Sequence, residues 1–131
     1  MKYSPSSFVC ALVIDDSGTT RRIIAGILRQ IGFDVVEAAN GREGLDCLHD
    51  MHKPELVVVD WNMPELDGLG FIKAVRADHA FDDVRLMMVT TEAEKRQVVR
   101  ALAAGADEYV MKPFTREMLV EKLVLLGFEG H

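Results

Sequence analysis

The chain has 131 residues and a net charge of −6 at neutral pH, and 49% of its residues are hydrophobic. This length fits one ordinary domain, and the apolar fraction suits a packed core and excludes a disordered chain. The acidic balance argues against nucleic-acid binding, which needs a basic face, and is compatible with metal cations or basic partner surfaces.

Three features bear on where the protein works. No apolar run reaches the roughly 18 to 20 residues that a membrane helix needs. The opening stretch, MKYSPSSFVCALVIDD, has a short apolar run that ends at two aspartates, whereas a signal peptide needs a longer run and a cleavage site. Cys10 and Cys47 offer no disulfide framework, so we expect reduced thiols and a cytoplasmic protein.

The first predicted strand is FVCALVI at residues 8–14, a continuous apolar run typical of strands that are covered on both faces in a parallel sheet. The helix after it repeats isoleucine every four residues, at Ile23, Ile27 and Ile31. Gly32 follows at once and is predicted to end this helix.

The second predicted strand, FDVVEA at residues 33–38, alternates between apolar and polar residues more than the first. Asn40 and Glu43 have the spacing of a capping box and predict the start of the second helix. Leu45 and Leu48 mark the apolar face of that helix.

The third predicted strand, ELVVVD at residues 55–60, is apolar until it ends on Asp60. A turn containing Pro64 follows, and Asp67 is predicted to cap the third helix. The apolar positions of that helix have helical spacing: Leu69, Ile72 and Val75.

The fourth predicted strand is RLMMVT at residues 85–90, and Thr91 and Glu94 have capping-box spacing for the start of a fourth helix. The apolar positions assigned to that helix are Val98, Leu102 and Ala106. The shorter run DEYVM at residues 107–111 predicts the fifth strand. The apolar positions of the fifth helix are Leu119 and Leu123, and Gly127 is predicted to end it.

Strands and helices therefore alternate five times, which predicts an α/β fold with a doubly wound five-stranded parallel sheet and helices on both faces. No linker or repeat interrupts this pattern. We expect one domain over residues 1–131. Binding sites in such sheets lie outside the carboxyl ends of the strands.

Residues that can carry chemistry stand at four of these strand ends. Asp15 and Asp16 end the first strand, Asp60 the third and Thr90 the fourth, while Lys112 follows the fifth. Two carboxylates about 4 Å apart repel by roughly 4 kcal/mol at an effective dielectric constant near 20, so three of them need a cation. Lys112 or a metal could supply it, and oxygen-only ligands favour Mg²⁺.

The Asp60 carboxylate could then act as a nucleophile towards a phosphoryl group. Carboxylates form acyl phosphates, and phosphoryl transfer depends mainly on positioning and charge neutralisation. Any single aspartate at a strand end would more simply be a cap or a turn residue. The occurrence of such residues at four strand ends together favours a functional site over separate caps and turns.

In this order and spacing, the acidic pair Asp15-Asp16, the stretch DWNMPELDG, Thr90 and Lys112-Pro113-Phe114 resemble the response-regulator receiver domain family. The stretches DWNMPELDGL, KAVRAD, MVTTEAEK and VMKPFT are most similar to the stand-alone chemotaxis regulators of the CheY type. The resemblance covers about residues 7–126, and implies a single receiver domain with this core and no output domain. It implies a (βα)5 flavodoxin-like fold with strand order 2-1-3-4-5.

The resemblance also implies that Asp60 accepts a phosphoryl group from a histidine kinase of the CheA type. Mg²⁺ would be bound by Asp60, Asp16 and the backbone carbonyl of Asn62, and by Asp15 directly or through water. Lys112 would pair with the phosphoryl oxygens. Such a domain is a phosphoacceptor switch that assists its own phosphorylation and dephosphorylation, and is not an enzyme in the usual sense.

By the same resemblance, Thr90 would donate a hydrogen bond to a phosphoryl oxygen, and Tyr109 would move inward behind it. The face formed by the fourth helix, the fifth strand and the fifth helix would change and bind a target. Asn62 and Glu92 would tune the lifetime of the phosphoryl group. The predicted output surface comprises Lys95, Val98, Tyr109 and Lys122.

The expected target is a flagellar motor switch protein, and the expected state is a monomer that binds neither nucleic acid nor membrane. A phosphatase is a further expected partner. An open alternative is a phosphorelay intermediate or adaptor that passes phosphate to a histidine phosphotransfer protein. Lys95, Tyr109 and Lys122 favour the motor output.

Two residues depart from the family pattern. Ser17 stands where a bulkier residue is frequent, and Thr91 stands where Ala or Gly is usual. Thr91 borders the entrance to the phosphoryl site and could slow access to it. The stretch VIDDSGTT also resembles the start of haloacid-dehalogenase-type phosphatases, but Ser17 stands where their general acid would be, and the chain is short for such an enzyme.

Overall fold

A computed structural model of the chain describes residues 9–63 and 66–128. Its strands are β1 (Val9–Ile14), β2 (Phe33–Ala38), β3 (Leu56–Asp60), β4 (Arg85–Thr91) and β5 (Glu108–Lys112). Its α-helices are α1 (Gly18–Ile31), α2 (Gly41–Asp50), α3 (Gly68–Arg76), α4 (Gln97–Ala104) and α5 (Arg116–Leu125). Short 3₁₀ turns lie at His79–Phe81 and Glu92–Glu94. Phe8, predicted in the first strand, and Pro64, predicted in a turn, lie outside the described residues.

The five strands form one parallel sheet in the order β2-β1-β3-β4-β5, which confirms the predicted fold class and strand order. Ile14, at the end of β1, lies beside Val59, and Asp60, at the end of β3, lies beside Val89. Thr91, at the end of β4, lies beside Lys112. The carboxyl ends of these strands therefore meet at one edge of the sheet, where the strand order reverses between β1 and β3.

The core has two layers, one on each face of the sheet. Every residue of β3 is buried, because alternate side chains enter opposite layers: Val57 and Val59 pack with α2, α3 and α4, and Leu56 and Val58 pack with α1 and α5. Burial on both faces explains why this strand is apolar without alternation. None of the described helices combines the length and the apolar character that crossing a membrane would require.

Two predicted helix boundaries are confirmed by their caps. The Asn40 side chain accepts a hydrogen bond from the Glu43 N–H at 2.8 Å, and the Glu43 carboxylate accepts one from the Ala39 N–H at 3.1 Å. Gly32 follows α1 with a φ of 123°, a conformation that glycine adopts without steric cost. Gly127 has a φ of 98° and lies two residues beyond the end of α5.

The predicted start of α4 at Thr91 is wrong. Thr91 is the last residue of β4, a 3₁₀ turn follows at Glu92–Glu94, and α4 begins at Gln97. The Thr91 hydroxyl donates to the Glu94 carboxylate at 3.1 Å and caps no backbone N–H. The capping-box spacing is therefore present without a capping box.

The apolar stripes of α1 and α4 differ from the prediction. Ile23 is 54% exposed, Leu102 is exposed, and Ala106 lies beyond the end of α4. A repeat of four residues drifts by about 40° per step around a helix of 3.6 residues per turn, so it leaves the buried face at one end. The residues of these two helices that are buried are Ile24, Ala25, Leu28, Ile31, Val98 and Ala101.

Candidate functional site

Two buried carboxylates and one ammonium group meet at the carboxyl edge of the sheet. Asp15 directly follows β1 and is 1% exposed, and Asp60 ends β3 and is 6% exposed. Lys112 ends β5, and its Nζ lies 3.5 Å from Asp15 Oδ2 and 3.5 Å from Asp60 Oδ1. Both carboxylates thus share one cation, which offsets part of their mutual repulsion.

Asp15 is held in place by its neighbours. Its Oδ1 accepts a hydrogen bond from the Ser17 N–H at 2.8 Å, and its backbone carbonyl accepts one from Arg21 Nη1 at 2.8 Å. Its Oδ2 is buried and accepts no hydrogen bond from any described residue. The Lys112 ammonium, 3.5 Å away, offsets its charge without a hydrogen bond, and a bound cation would satisfy this buried oxygen.

Asp15, Asp16 and Asp60 form the one cluster of metal-ligand side chains found in the described part of the chain. Each contributes a carboxylate oxygen, and these oxygens lie within 4.8 Å of one another. Together with the unsatisfied Asp15 Oδ2, this all-oxygen donor set fits a hard divalent cation such as Mg²⁺. Asn62 lies in the loop two residues after Asp60 with its side chain exposed, and the role of its carbonyl as a ligand stays a prediction.

The end of β3 is fixed by a close approach of α3. Asp67 Oδ1 accepts a hydrogen bond from the Gly70 N–H at 2.8 Å, which confirms the predicted cap. The Gly68 N–H donates to the Trp61 carbonyl at 3.0 Å. A Cβ atom on Gly68 would lie 2.6 Å from the Asp60 carbonyl oxygen, so only glycine lets the helix start this close to the site.

Asp60 holds its proton more tightly than an ordinary aspartate. Burial and, after it, the negative charge of Asp15 raise the pKa of Asp60 from 3.8 to about 6, against the opposing effect of Lys112. Asp16 adds a smaller contribution that also raises the pKa. At neutral pH the Asp60 carboxyl is still mostly ionised, and hence able to act as a nucleophile.

This raised pKa predicts how the stability of the metal-free protein depends on pH. In the unfolded chain Asp60 has its ordinary pKa of 3.8. Between about pH 4 and pH 6, Asp60 is therefore protonated more fully in the folded state than in the unfolded state. The contribution of Asp60 to the free energy of unfolding should therefore fall by about 2 kcal/mol as the pH rises through this window. Urea unfolding in the presence of a chelator would measure it.

Asp60→Asn is the control for this pH dependence, because it removes the titrating group and the like charge together. The difference in unfolding free energy between Asp60→Asn and wild type should grow from pH 4 to pH 6 and then level off. A difference that stays constant over this range would contradict the assigned pKa.

Thr90 and Thr91 share one acceptor. Thr90 is fully buried, and its hydroxyl lies 3.4 Å from Glu94 Oε1, while the Thr91 hydroxyl lies 3.1 Å from the same oxygen. The spacing from Thr91 to Glu94 is visible in the sequence, where it predicts a helix cap. No sequence pattern marked Glu94 as a partner of Thr90, or Arg21 as a support for Asp15.

Tyr109 lies on β5, an edge strand, and is half-buried against the core. The Lys122 ammonium lies 4.3 Å from the centre of the Tyr109 ring and 2.9 Å from the Glu108 carboxylate. Lys95 is exposed and pairs with Glu92 at 3.0 Å.

Val98, also predicted on the output surface, is buried in the core layer formed with α2 and α3. Its side chain therefore supports this surface from below. Three of the four residues predicted for the output surface, Lys95, Tyr109 and Lys122, have solvent-accessible side chains, and Val98 does not.

Comparisons with known proteins agree with this geometry. The family model for the response regulator receiver domain matches residues 11–124. The chain is 47% identical over 118 residues to the chemotaxis protein CheY1 of Helicobacter pylori, covering 88% of this chain and 95% of that one. It is 47% identical over 113 residues to a chemotaxis protein CheY homolog of Campylobacter jejuni, covering 86% and 87%.

Among solved structures, the chemotaxis response regulator CheY4 of Vibrio cholerae is similar with a TM-score of 0.83 and 31% identity, covering 91% of this chain and 98% of that one. The matched family model spans most of the sequence, including β1 from residue 11 onward, the other four strands and the acidic edge of the sheet. The chain belongs to the response-regulator receiver domain family.

Proposed function

We propose that this receiver domain is a switch in which Asp60 accepts a phosphoryl group from a histidine kinase in the presence of Mg²⁺. The observation that carries this proposal is the unsatisfied, buried Asp15 Oδ2 in a cluster with Asp16 and Asp60, with Lys112 3.5 Å from two of these carboxylates. A cap or turn residue needs neither such burial nor such neighbours. The cluster is suited to a site that must hold a cation and an anion together.

In the proposed reaction, an Asp60 carboxylate oxygen attacks the phosphorus of a phosphohistidine. An O–P bond forms as the N–P bond breaks, and the imidazole leaves and takes up a proton. A bound Mg²⁺, held by Asp15, Asp16, Asp60 and the carbonyl of Asn62, would neutralise charge on the phosphoryl oxygens. Lys112, already 3.5 Å from Asp60, would pair with a phosphoryl oxygen.

Switching follows from new contacts of that phosphoryl group. The Thr90 hydroxyl would donate to a phosphoryl oxygen, Tyr109 would move inward, and the face of α4, β5 and α5 would change. Reversing a 1:99 population takes about 5.5 kcal/mol of preference for one state. One hydrogen bond and one charge pair supply a few kcal/mol. We therefore expect partial switching in the free protein, which a target completes.

Control of the flagellar motor is the proposed output. It is supported by the chemotaxis proteins of Helicobacter pylori and Campylobacter jejuni to which this chain is similar. Tyr109, Met118 and Lys122 also border a pocket of about 230 Å³ between β5 and α5 that an apolar target side chain could enter. Lys122, which lines this pocket, suits an acidic target segment.

Binding of a labelled motor-switch peptide, measured by fluorescence anisotropy, tests this output. Beryllofluoride, a mimic of the phosphoryl group, should tighten binding to wild type by about tenfold, within the usual range of coupling between two sites. It should leave the affinity of Asp60→Asn unchanged. If wild type binds beryllofluoride without any gain for the peptide, the motor output is wrong. Transfer from the phosphorylated protein to a histidine phosphotransfer domain would then support the relay alternative.

A further inference from the structure

Glu94 lies beside the proposed switch residue and has no part in the mechanism above. It ends the 3₁₀ turn after β4 and is half-buried. Its Oε1 accepts from the Thr91 hydroxyl at 3.1 Å and from the Thr90 hydroxyl at 3.4 Å. It has no ion-pair partner within the described part of the chain, and the adjacent Lys95 pairs with Glu92 instead.

Glu94 and a phosphoryl group on Asp60 compete for the same proton. The Thr90 hydroxyl has a single proton, which it donates either to the Glu94 carboxylate or to a phosphoryl oxygen. Both acceptors are anionic, and the hydroxyl for which they compete is fully buried. Phosphorylation thus has to separate Thr90 from Glu94.

We propose that Glu94 is a positioning residue that stabilises the unphosphorylated state by holding the hydroxyl of Thr90. This inference rests on the proposed function of Asp60 and Thr90 and describes the regulation of that site. Thr91 supports the contact, since its own hydroxyl bonds the same oxygen at the shorter distance and keeps the carboxylate against β4. The Thr91 hydroxyl therefore helps to hold Glu94, and this role is separate from any effect of Thr91 on access to Asp60.

The test is the affinity for beryllofluoride at saturating Mg²⁺, followed through the fluorescence of Trp61, which is adjacent to Asp60. Glu94→Ala should bind beryllofluoride about threefold more tightly than wild type, because one weak competing hydrogen bond is lost. Glu94→Gln keeps an acceptor oxygen and loses the charge, so its gain should be smaller. Thr91→Ala removes one hydrogen bond to the Glu94 carboxylate but leaves the carboxylate in place. Its gain in beryllofluoride affinity should therefore also be smaller than that of Glu94→Ala.

Two controls separate this contact from a general effect of charge. Glu117→Gln removes an exposed carboxylate from the first turn of α5 and should leave the affinity as it is in wild type. In a Thr90→Val background, Glu94→Ala should bring no gain, because the hydroxyl that it releases is gone. The affinity for Mg²⁺ alone should be the same in wild type and Glu94→Ala, since the contact acts on the phosphoryl site and not on the metal ligands.

The outcomes distinguish the two proposals. If wild type shows neither a beryllofluoride response nor a phosphoryl label on Asp60, the proposed function itself fails. If wild type responds and Glu94→Ala binds with equal or lower affinity, the role of Glu94 is wrong and the proposed function stands. A gain that persists in the Thr90→Val background would also overturn it, by showing that only the negative charge matters.

Discussion

Replacing Asp60 with asparagine is expected to abolish phosphorylation by a small phosphodonor such as acetyl phosphate. The amide oxygen of asparagine is a much poorer nucleophile than a carboxylate, so labelling should fall by at least about a hundredfold. Intact-mass spectrometry of wild type should show the addition of one phosphoryl group, and peptide mapping should place it on Asp60. A chelator should abolish the label in wild type, because the three carboxylates would then have only Lys112, and no divalent cation, to neutralise them and the incoming phosphoryl group.

Asp67→Asn is the matched control for Asp60→Asn, because it makes the same change at the cap of α3, where asparagine serves as well as aspartate. It should be labelled like wild type. The fluorescence of Trp61 should still respond to Mg²⁺ in Asp60→Asn, since Asp15 and Asp16 remain, and should no longer respond to the phosphodonor. A label that maps to Asp15, or one that survives in Asp60→Asn, would refute the assignment of the phosphoacceptor.

Replacing Arg76 with methionine is expected to lower the free energy of unfolding by about 3 kcal/mol, the range found when one partner of a buried charged network is removed. The Arg76 side chain is only 18% exposed. Its guanidinium donates to four groups within 3.0 Å: the carbonyls of Phe81, Val84 and Gly105, and the carboxylate of Asp107. Methionine keeps the apolar stem of the side chain and removes the guanidinium donor from all four acceptors.

The Arg76 network joins the end of α3 to the starts of β4 and β5. Asp107 Oδ2 also accepts a hydrogen bond from the Leu86 N–H at 2.8 Å, which ties it to the backbone of β4. Without Arg76, this carboxylate would stay in place but lose its positive partner. Arg76→Lys should be destabilising too, because one ammonium group cannot reach acceptors spread around a planar guanidinium.

Urea unfolding would measure the effect of Arg76→Met, with Arg42→Met as the control. Arg42 is exposed on α2, where the same substitution should change stability by less than about 0.5 kcal/mol. Folded Arg76→Met should bind Mg²⁺ like wild type, because the network lies at the amino ends of β4 and β5, away from the acidic cluster. A loss below about 1 kcal/mol would mean that water replaces the guanidinium at these carbonyls.

Most of the fold could be predicted because its signals are local. A run such as LVVVD is apolar throughout only if both faces of the strand are covered, and five strand–helix alternations leave few alternatives to a parallel sheet. Caps such as Asn40 and Asp67 involve residues three positions apart, so their spacing is visible in the sequence. The start of α4 could not be predicted from the capping-box spacing. The Thr91 hydroxyl donates a hydrogen bond to the Glu94 side chain and does not accept one from a backbone N–H.

By itself, the sequence determined which residues stand at the carboxyl ends of the strands, because a parallel sheet aligns those ends whatever the loops do. Asp15, Asp60, Thr90 and Lys112 were identifiable for this reason. Only the tertiary structure decided which atoms meet: that Lys112 serves two carboxylates, that Asp15 Oδ2 has no hydrogen bond, and that Thr90 faces Glu94. Such contacts depend on loop paths and side-chain rotamers within a packed core, and no local pattern encodes them.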